Sequence, residues 1–166
     1  MQMRAGCGVL GLLALAGCAA EAPENTAAQD RADAQAVQDI LAANTPPPFD
    51  PELQPLSYAD FEREGLLGVS CAFMIDGEVL ALAMPSIGAV KYEGNVRQLA
   101  PDAGSGEGPL DTRVKYDGRE LSFRLEVSGK QKRTGDEVWS QPARLTVSDG
   151  YDRVVYRERG TAECGA

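Results

Sequence analysis

The stretch Leu121-Ser122-Phe123-Arg124-Leu125-Glu126-Val127 decides the fold class. Its apolar residues alternate strictly with polar ones. Successive side chains of a strand point to opposite faces, so the pattern gives one apolar and one solvated face, a half-buried β-strand. Asp117-Gly118 precedes it as a turn, and Thr112–Tyr116 leads into that turn as a strand. Upstream, Val69–Ile75 places Val69, Cys71, Phe73 and Ile75 on one face, and Asp76-Gly77 reads as a hairpin turn. Glu78–Met84 is nearly all apolar, as for a strand covered on both faces. Gly88–Tyr92 and Asn95–Leu99 flank Glu93-Gly94, a second hairpin, and the stretch from Pro101 to Leu110 is a glycine-rich loop. Downstream, Ser128–Asp136 reads as a polar, basic hairpin tip, and Glu137–Ser140 begins a strand. Arg144–Ser148, an Asp149-Gly150 turn and Arg153–Arg159 form the last hairpin, and Thr161–Cys164 follows it. The expectation is a mainly β domain, a small antiparallel barrel or sandwich of seven to eight strands.

Two helices precede it. Thr26-Ala27-Ala28-Gln29 reads as a capping box opening a helix over 27–43, which Asn44 and Pro46-Pro47-Pro48 stop. Val37, Ile40 and Leu41 give it one small apolar patch. Residues 45–55 hold five prolines and read as a stiff extended spacer. Ser57 with Asp60 three residues on, Leu56 and Phe61 as a hydrophobic staple, and Gly65 as C′ predict a short helix over 58–64. The expected organisation is a tether over 18–55 and a β domain over 56–166. Residues 18–64 carry ten acidic and two basic side chains, so the net charge of −9 lies mostly in the tether and the entrance to the domain. A solvated, mutually repelling tether accounts for it.

The chain has 166 residues and no histidine. That excludes a Ser-His-Asp triad, a Cys-His pair and any His-ligated metal. The acidic balance argues against a nucleic-acid partner, which needs phosphate-neutralising Lys and Arg. Gly104–Gly108 precedes no helix and is not followed by lysine, so it is not a phosphate loop. Asp102, Glu107 and Asp111 lack EF-hand spacing. Lys130, Lys132 and Arg133 make a basic tip that reads first as a solubilising hairpin end, and Trp139 reads first as packing. No residue pattern here points to a catalytic residue, a cofactor or a metal site, and the expectation is a protein that is not an enzyme.

Met1–Arg4 is a short segment with one positive charge, and Ala5–Leu15 is an uncharged run too short to span a bilayer as a helix. It ends in Leu15-Ala16-Gly17-Cys18, which resembles the lipobox of bacterial lipoproteins at all four positions. The resemblance implies a signal peptide over 1–17, lipidation of Cys18, and a cell-envelope protein held on a membrane by its acyl chains. Ala19 stands where enterobacterial lipoproteins retained at the inner membrane carry Asp, which implies an outer-membrane lipoprotein facing the periplasm. In that oxidising compartment, with Cys7 removed and Cys18 acylated, Cys71 and Cys164 are expected to form a disulfide. A free buried thiol or an intermolecular bridge remain the alternatives.

The lipobox, acidic tether, small β domain, early cysteine and terminal cysteine together resemble the periplasmic lipoprotein inhibitors of C-type lysozyme. Those carry a Ser-Gly-x-x-Tyr loop. Here Ser86-Ile87-Gly88-Ala89-Val90-Lys91-Tyr92 departs from it by two inserted residues, so no inhibitory residue is carried over. Gly68-Val69-Ser70-Cys71-Ala72-Phe73 and Cys164-Gly165 are similar to a Gly-x-x-Cys-x-Phe segment and a C-terminal Cys-Gly found in a further group of bacterial lipoproteins, a likeness that implies no particular activity. The functional expectation is a lipid-anchored periplasmic binding or inhibitor-like module for an envelope protein or glycan. The alternative is an assembly accessory that docks on an envelope complex through its tether helix.

Overall fold

The computed structural model describes residues 26–166. The chain divides into two units, one ending at Pro46 and one spanning Pro47–Ala166. In the first, α1 (Ala27–Asn44) starts at Thr26, whose side chain accepts from the Gln29 N–H at 3.4 Å. It ends one residue later than the sequence indicates. Asn44 Nδ2 donates to the Ile40 carbonyl and Thr45 Oγ1 to the Leu41 carbonyl, both at 2.7 Å, capping otherwise orphan acceptors. Val37, Ile40 and Leu41 are all exposed.

In the second unit, α2 (Tyr58–Glu64) carries the predicted capping box. Ser57 Oγ accepts from the Asp60 N–H, and Asp60 Oδ2 accepts from the Ser57 N–H at 2.9 Å. Gly65 ends the helix at φ 69°, a conformation that glycine adopts without strain. Nine strands follow: β1 (Ser70–Ile75), β2 (Glu78–Ala83), β3 (Gly88–Tyr92), β4 (Asn95–Pro101), β5 (Lys115–Asp117), β6 (Leu121–Val127), β7 (Lys132–Arg133), β8 (Trp139–Asp149) and β9 (Val154–Gly165). Neighbours pair antiparallel in the order β6-β5-β4-β3-β2-β1-β9-β8, and β6 also pairs with β8. The sheet therefore closes into an eight-stranded barrel. The two-residue β7 is an addition on β8, and this settles barrel over sandwich.

The hairpins explain the meander. Asp76-Gly77 (φ 52° and 85°) and Glu93-Gly94 (φ 50° and 73°) have positive φ at both turn positions. Two-residue turns of that kind match the right-handed twist of the strands they join. The Asp149 turn is longer than the two residues expected. Asp149 Oδ1 accepts from the N–H groups of Tyr151 and Arg153, so the carboxylate organises a wider loop. Burial alone would raise its pKa; the bonds from Arg153 and the two backbone donors outweigh this and hold it below the ordinary carboxylate value.

Segments read as separate strands prove continuous. Residues 139–140 and 144–148 belong to one strand because β8 runs through Pro142, while Glu137 and Val138 stay outside it. On that edge β6 pairing stops at Ala143 and β7 pairing starts at Ser140, so the ladder is already interrupted where proline has no donor to give. Residues 153–159 and 161–164 are joined through Gly160. A Cβ there would run into the Met74 carbonyl and the Phe73 ring, so this glycine serves close approach rather than a chain break. Val69 lies just outside β1 and is half exposed, because Gly68 (φ 122°) turns the chain immediately before it.

The lumen is filled by side chains. Phe73, Tyr116, Phe123, Leu145, Val90 and Val147 are each at most 1% exposed. Burying each contributes about 1.5–3 kcal/mol. Tyr116 stacks on Phe123 with centroids 4.9 Å apart, and its hydroxyl donates to the Met84 carbonyl at 2.7 Å while accepting from the Arg113 N–H. Gly88 lies under both rings, where a Cβ would sit 2.6 Å from Tyr116. Outside the barrel a second apolar layer of Leu56, Leu66, Leu82, Met84 and Ala89 packs with Phe61 of α2. This is why β2 reads as apolar on both faces.

Asp60 ties α2 to the wall. It is 3% exposed at the side chain and ion-pairs with Lys91 Nζ of β3 at 2.8 Å and Arg63 Nη2 at 2.6 Å. The Lys91 bond, then the Ser57 and Arg63 bonds, hold its carboxyl well below the usual carboxylate range. A depressed folded pKa contributes stability that is present above the unfolded pKa of about 3.9 and lost as pH falls below it. Asp60→Asn should therefore destabilise by on the order of 2–3 kcal/mol at neutral pH, from the lost cap and the orphaned Lys91. Urea titrations should show that gap narrowing at pH ~2.5. An equal gap at both pH values would mean that the carboxylate charge is not what Asp60 contributes.

Candidate functional site

A filled lumen leaves the rims and the outer wall to meet a partner. The extended segment Phe49–Gln54 crosses one rim. The Gln54 N–H donates to the Lys91 carbonyl at 2.7 Å, and Gln54 Oε1 accepts from the Gly94 N–H. Leu53 bridges to Tyr92, and the Phe49 ring lies 5.9 Å from the Tyr92 ring. The stretch expected as a spacer over 45–55 is thus extended, yet from Pro47 onward it belongs to the barrel's compact unit. Its prolines fix the extended backbone, and its two large apolar side chains anchor it.

Beside this strap lies a cleft of about 300 Å³ lined by Tyr92, Arg97, Leu99, Gly118, Arg119 and Glu120 among others. Arg97 shares the inward parity of Leu99 on β4, but at the rim, where its guanidinium reaches solvent. It lies 4.8 Å over the Tyr92 ring, a cation–π contact. The Tyr92 hydroxyl donates to Glu120 Oε2. Burial first, and that carboxylate second, raise the Tyr92 pKa, so the phenol stays protonated as a donor. Arg97 Nε is shut off from solvent and has no hydrogen-bond partner among the described residues. Glu120 Oε2 stands 3.8 Å from it, ion-pair distance but beyond a hydrogen bond. A buried donor left unmade is costly, and a turn of the Arg97 side chain toward an acceptor in the cleft would relieve it.

Sequence reasoning missed this trio. The available signal was Arg97 at an inward position of an alternating strand, next to an otherwise apolar Val96 and Leu99. The glutamate arrives from the β5–β6 turn, which antiparallel pairing of β5 on β4 brings to the same end as the β3–β4 turn.

Among the positions singled out in the sequence, Cys18 lies outside the described residues, as do the signal peptide and the lipobox. Cys71 and Cys164 face each other directly in the β1–β9 register, with Sγ atoms 2.11 Å apart, disulfide distance. Ser86–Tyr92 runs into the barrel wall, with Gly88, Val90 and Tyr92 buried. In the glycine-rich loop, Asp102 accepts from the Gly104 N–H and pairs with Lys115, and Glu107 pairs with Arg113. No cluster of three or more His, Cys, Asp or Glu side chains that could hold a metal occurs among the described residues. The basic tip is partly turned on itself, since Arg133 donates to the carbonyls of Gly135 and Asp136. Trp139 is half-buried and pairs in register with Cys164. No helix among the described residues is long and apolar enough to cross a membrane.

No family model, curated protein or solved structure matches the chain.

Proposed function

We propose that this chain is a lipid-anchored, non-enzymatic binding module of the cell envelope, and that the rim cleft at Tyr92, Arg97 and Glu120 receives its ligand. The observation that carries the reading is the Arg97 guanidinium, which reaches solvent in the cleft while its Nε has no hydrogen-bond partner among the described residues. Native proteins rarely leave such a group unmatched. The ligand is a protein segment or glycan presenting a carbonyl or carboxylate oxygen to that guanidinium. The packed lumen supports a surface-recognition role over carriage of a small molecule inside the barrel.

The anchor rests on Leu15–Cys18. Two or three acyl chains, at about 0.8 kcal/mol per buried CH₂, hold a protein nearly irreversibly. Cys18→Ser should leave the precursor uncleaved and without acyl mass, whereas the wild-type mature protein should enter the detergent phase on partitioning. Wild-type protein that begins elsewhere and partitions as soluble would refute the anchor.

A second reading has its own observation. Val37, Ile40 and Leu41 are 53%, 62% and 55% exposed on α1, an apolar patch available to an envelope complex. Crosslinking in cells followed by mass spectrometry separates the two. Capture of a partner that Arg97→Leu abolishes supports the cleft. Capture that survives Arg97→Leu but is lost on changing Val37, Ile40 and Leu41 to Ser replaces it with the accessory role.

A further inference from the structure

The outer wall of β6, β8 and β9 carries a second feature. Leu125, Leu145 and Val147 are buried in the core, so their strand neighbours Arg124, Arg144 and Thr146 face outward. Register places Arg124 opposite Thr146 and Thr146 opposite Arg157, one row across three strands. In the next row Arg144 stands directly opposite Arg159. Residues opposite one another in an antiparallel sheet share a face, so all four arginines project from the same wall. Strands lie about 4.8 Å apart and alternate residues roughly 6.7 Å apart, so their Cα positions fall within roughly 10 by 7 Å.

Arg124, Arg157 and Arg159 are exposed and Arg144 is partly exposed, and none of the four makes an ion pair or a side-chain hydrogen bond among the described residues. Nearby bases behave otherwise. Lys115 pairs with Asp117 at 2.9 Å and Arg153 with Asp149 at 2.6 Å. Glu126 stands opposite Arg144 without reaching ion-pair distance, and Glu158 takes the opposite parity between Arg157 and Arg159. Like charges directly opposite on a sheet repel. A chain of net charge −9 nonetheless gathers four unneutralised guanidinium groups on one wall.

We infer that this arginine wall docks on the phosphates of anionic lipid headgroups. Guanidinium is the side chain whose planar fork matches phosphate oxygens in pairs. The four forks stand on a sheet wall rather than converging on one point, which suits a surface of many phosphates. A shallow depression lined by Arg144, Arg157, Glu158 and Arg159 lies on this wall, and its three guanidinium groups against one carboxylate leave a net positive site that would suit one headgroup. No aromatic ring stands among the arginines on which a base or a sugar face would stack, which disfavours single-stranded nucleic acid. With the anchor proposed above, the wall would fix which side of the barrel meets the bilayer. The headgroup contact itself does not require that anchor.

The test uses the chain from residue 19 onward, without acyl groups, in co-flotation with vesicles of phosphatidylcholine alone or mixed with phosphatidylglycerol. Binding should need the anionic lipid and should fall steeply with added salt. Each basic residue near an anionic surface is worth about fivefold in partitioning, so Arg144→Gln with Arg159→Gln should weaken binding about 25-fold. The matching pair of Lys substitutions should keep most of it. Circular dichroism and gel filtration check that both variants stay folded and monomeric. Equal binding to neutral vesicles, or unchanged binding by the Gln variant, overturns the inference. So does a Gln variant that self-associates without losing lipid affinity, since the arginines would then be guards of an exposed strand edge. Displacement from vesicles by soluble peptidoglycan fragments, which offer carboxylates, would also overturn it in favour of a glycan. Because no acyl group is present, failure here leaves the Cys18 anchor and the Arg97 cleft untouched.

Discussion

Replacing Cys164 with Ala should lower the unfolding free energy by about 2–5 kcal/mol, and Cys71→Ala should do the same. The two cysteines lie 93 residues apart, and a loop of that size gives roughly 4–5 kcal/mol in the chain-entropy account. Their placement adds to this. They face each other on β1 and β9, the pair of strands that completes the ring, and both are essentially inaccessible to solvent. Urea unfolding of wild type with and without reductant should reproduce the gap between wild type and either variant. Peptide mapping without reduction should recover Cys71 joined to Cys164. Two free thiols in protein isolated without reductant, or variants within about 0.5 kcal/mol of wild type, would contradict it.

The second large effect concerns the strap. A chain beginning at Leu56 discards Phe49, Pro51 and Leu53, of which Pro51 is buried and the other two pack on the main core. It also exposes Tyr92. Partial burial of two large side chains is worth on the order of 2–4 kcal/mol together. A chain beginning at Pro47 keeps all of these contacts. The expected result is that the Pro47 form matches the full chain in denaturant midpoint, whereas the Leu56 form melts earlier and has a more exposed Tyr92. Fluorescence-detected titrations of the three lengths measure it. Equal midpoints for all three would show that the strap lies on the rim without stabilising it.

The strap marks where sequence reading stops. Phe49 and Leu53 sit among prolines and acids, so local composition reads as spacer. Their value depends on Tyr92, some forty residues away, which no local pattern reports. The same holds for β8 and β9. Pro142 and Gly160 are breakers in any local window, and only the neighbouring strands show why each is tolerated. What is local was legible. The turns at Asp76-Gly77 and Glu93-Gly94, the box of Ser57 and Asp60, and the alternation of β6 all rest on backbone rules that act within a few residues. The pairing of Cys71 with Cys164 was legible for another reason, since only two cysteines remain once the lipoprotein resemblance accounts for the others. The rim trio was not legible, because it is assembled from β3, β4 and the turn before β6.

The meander order also bears on how fast this domain can assemble. Seven of the eight ring contacts join strands that are consecutive or nearly so, and each can form as a local hairpin. The eighth, β1 with β9, joins ends of the ring some ninety residues apart through only Ser70–Met74 and Thr161–Gly165. Loop-closure entropy is met in full before that short ladder returns anything. Refolding of the reduced chain should therefore sit among non-local β topologies, in milliseconds to seconds. Until the ends meet, β1 and β9 are bare edges, open to pairing with another molecule, and the interval of greatest aggregation hazard ends only when the ring shuts.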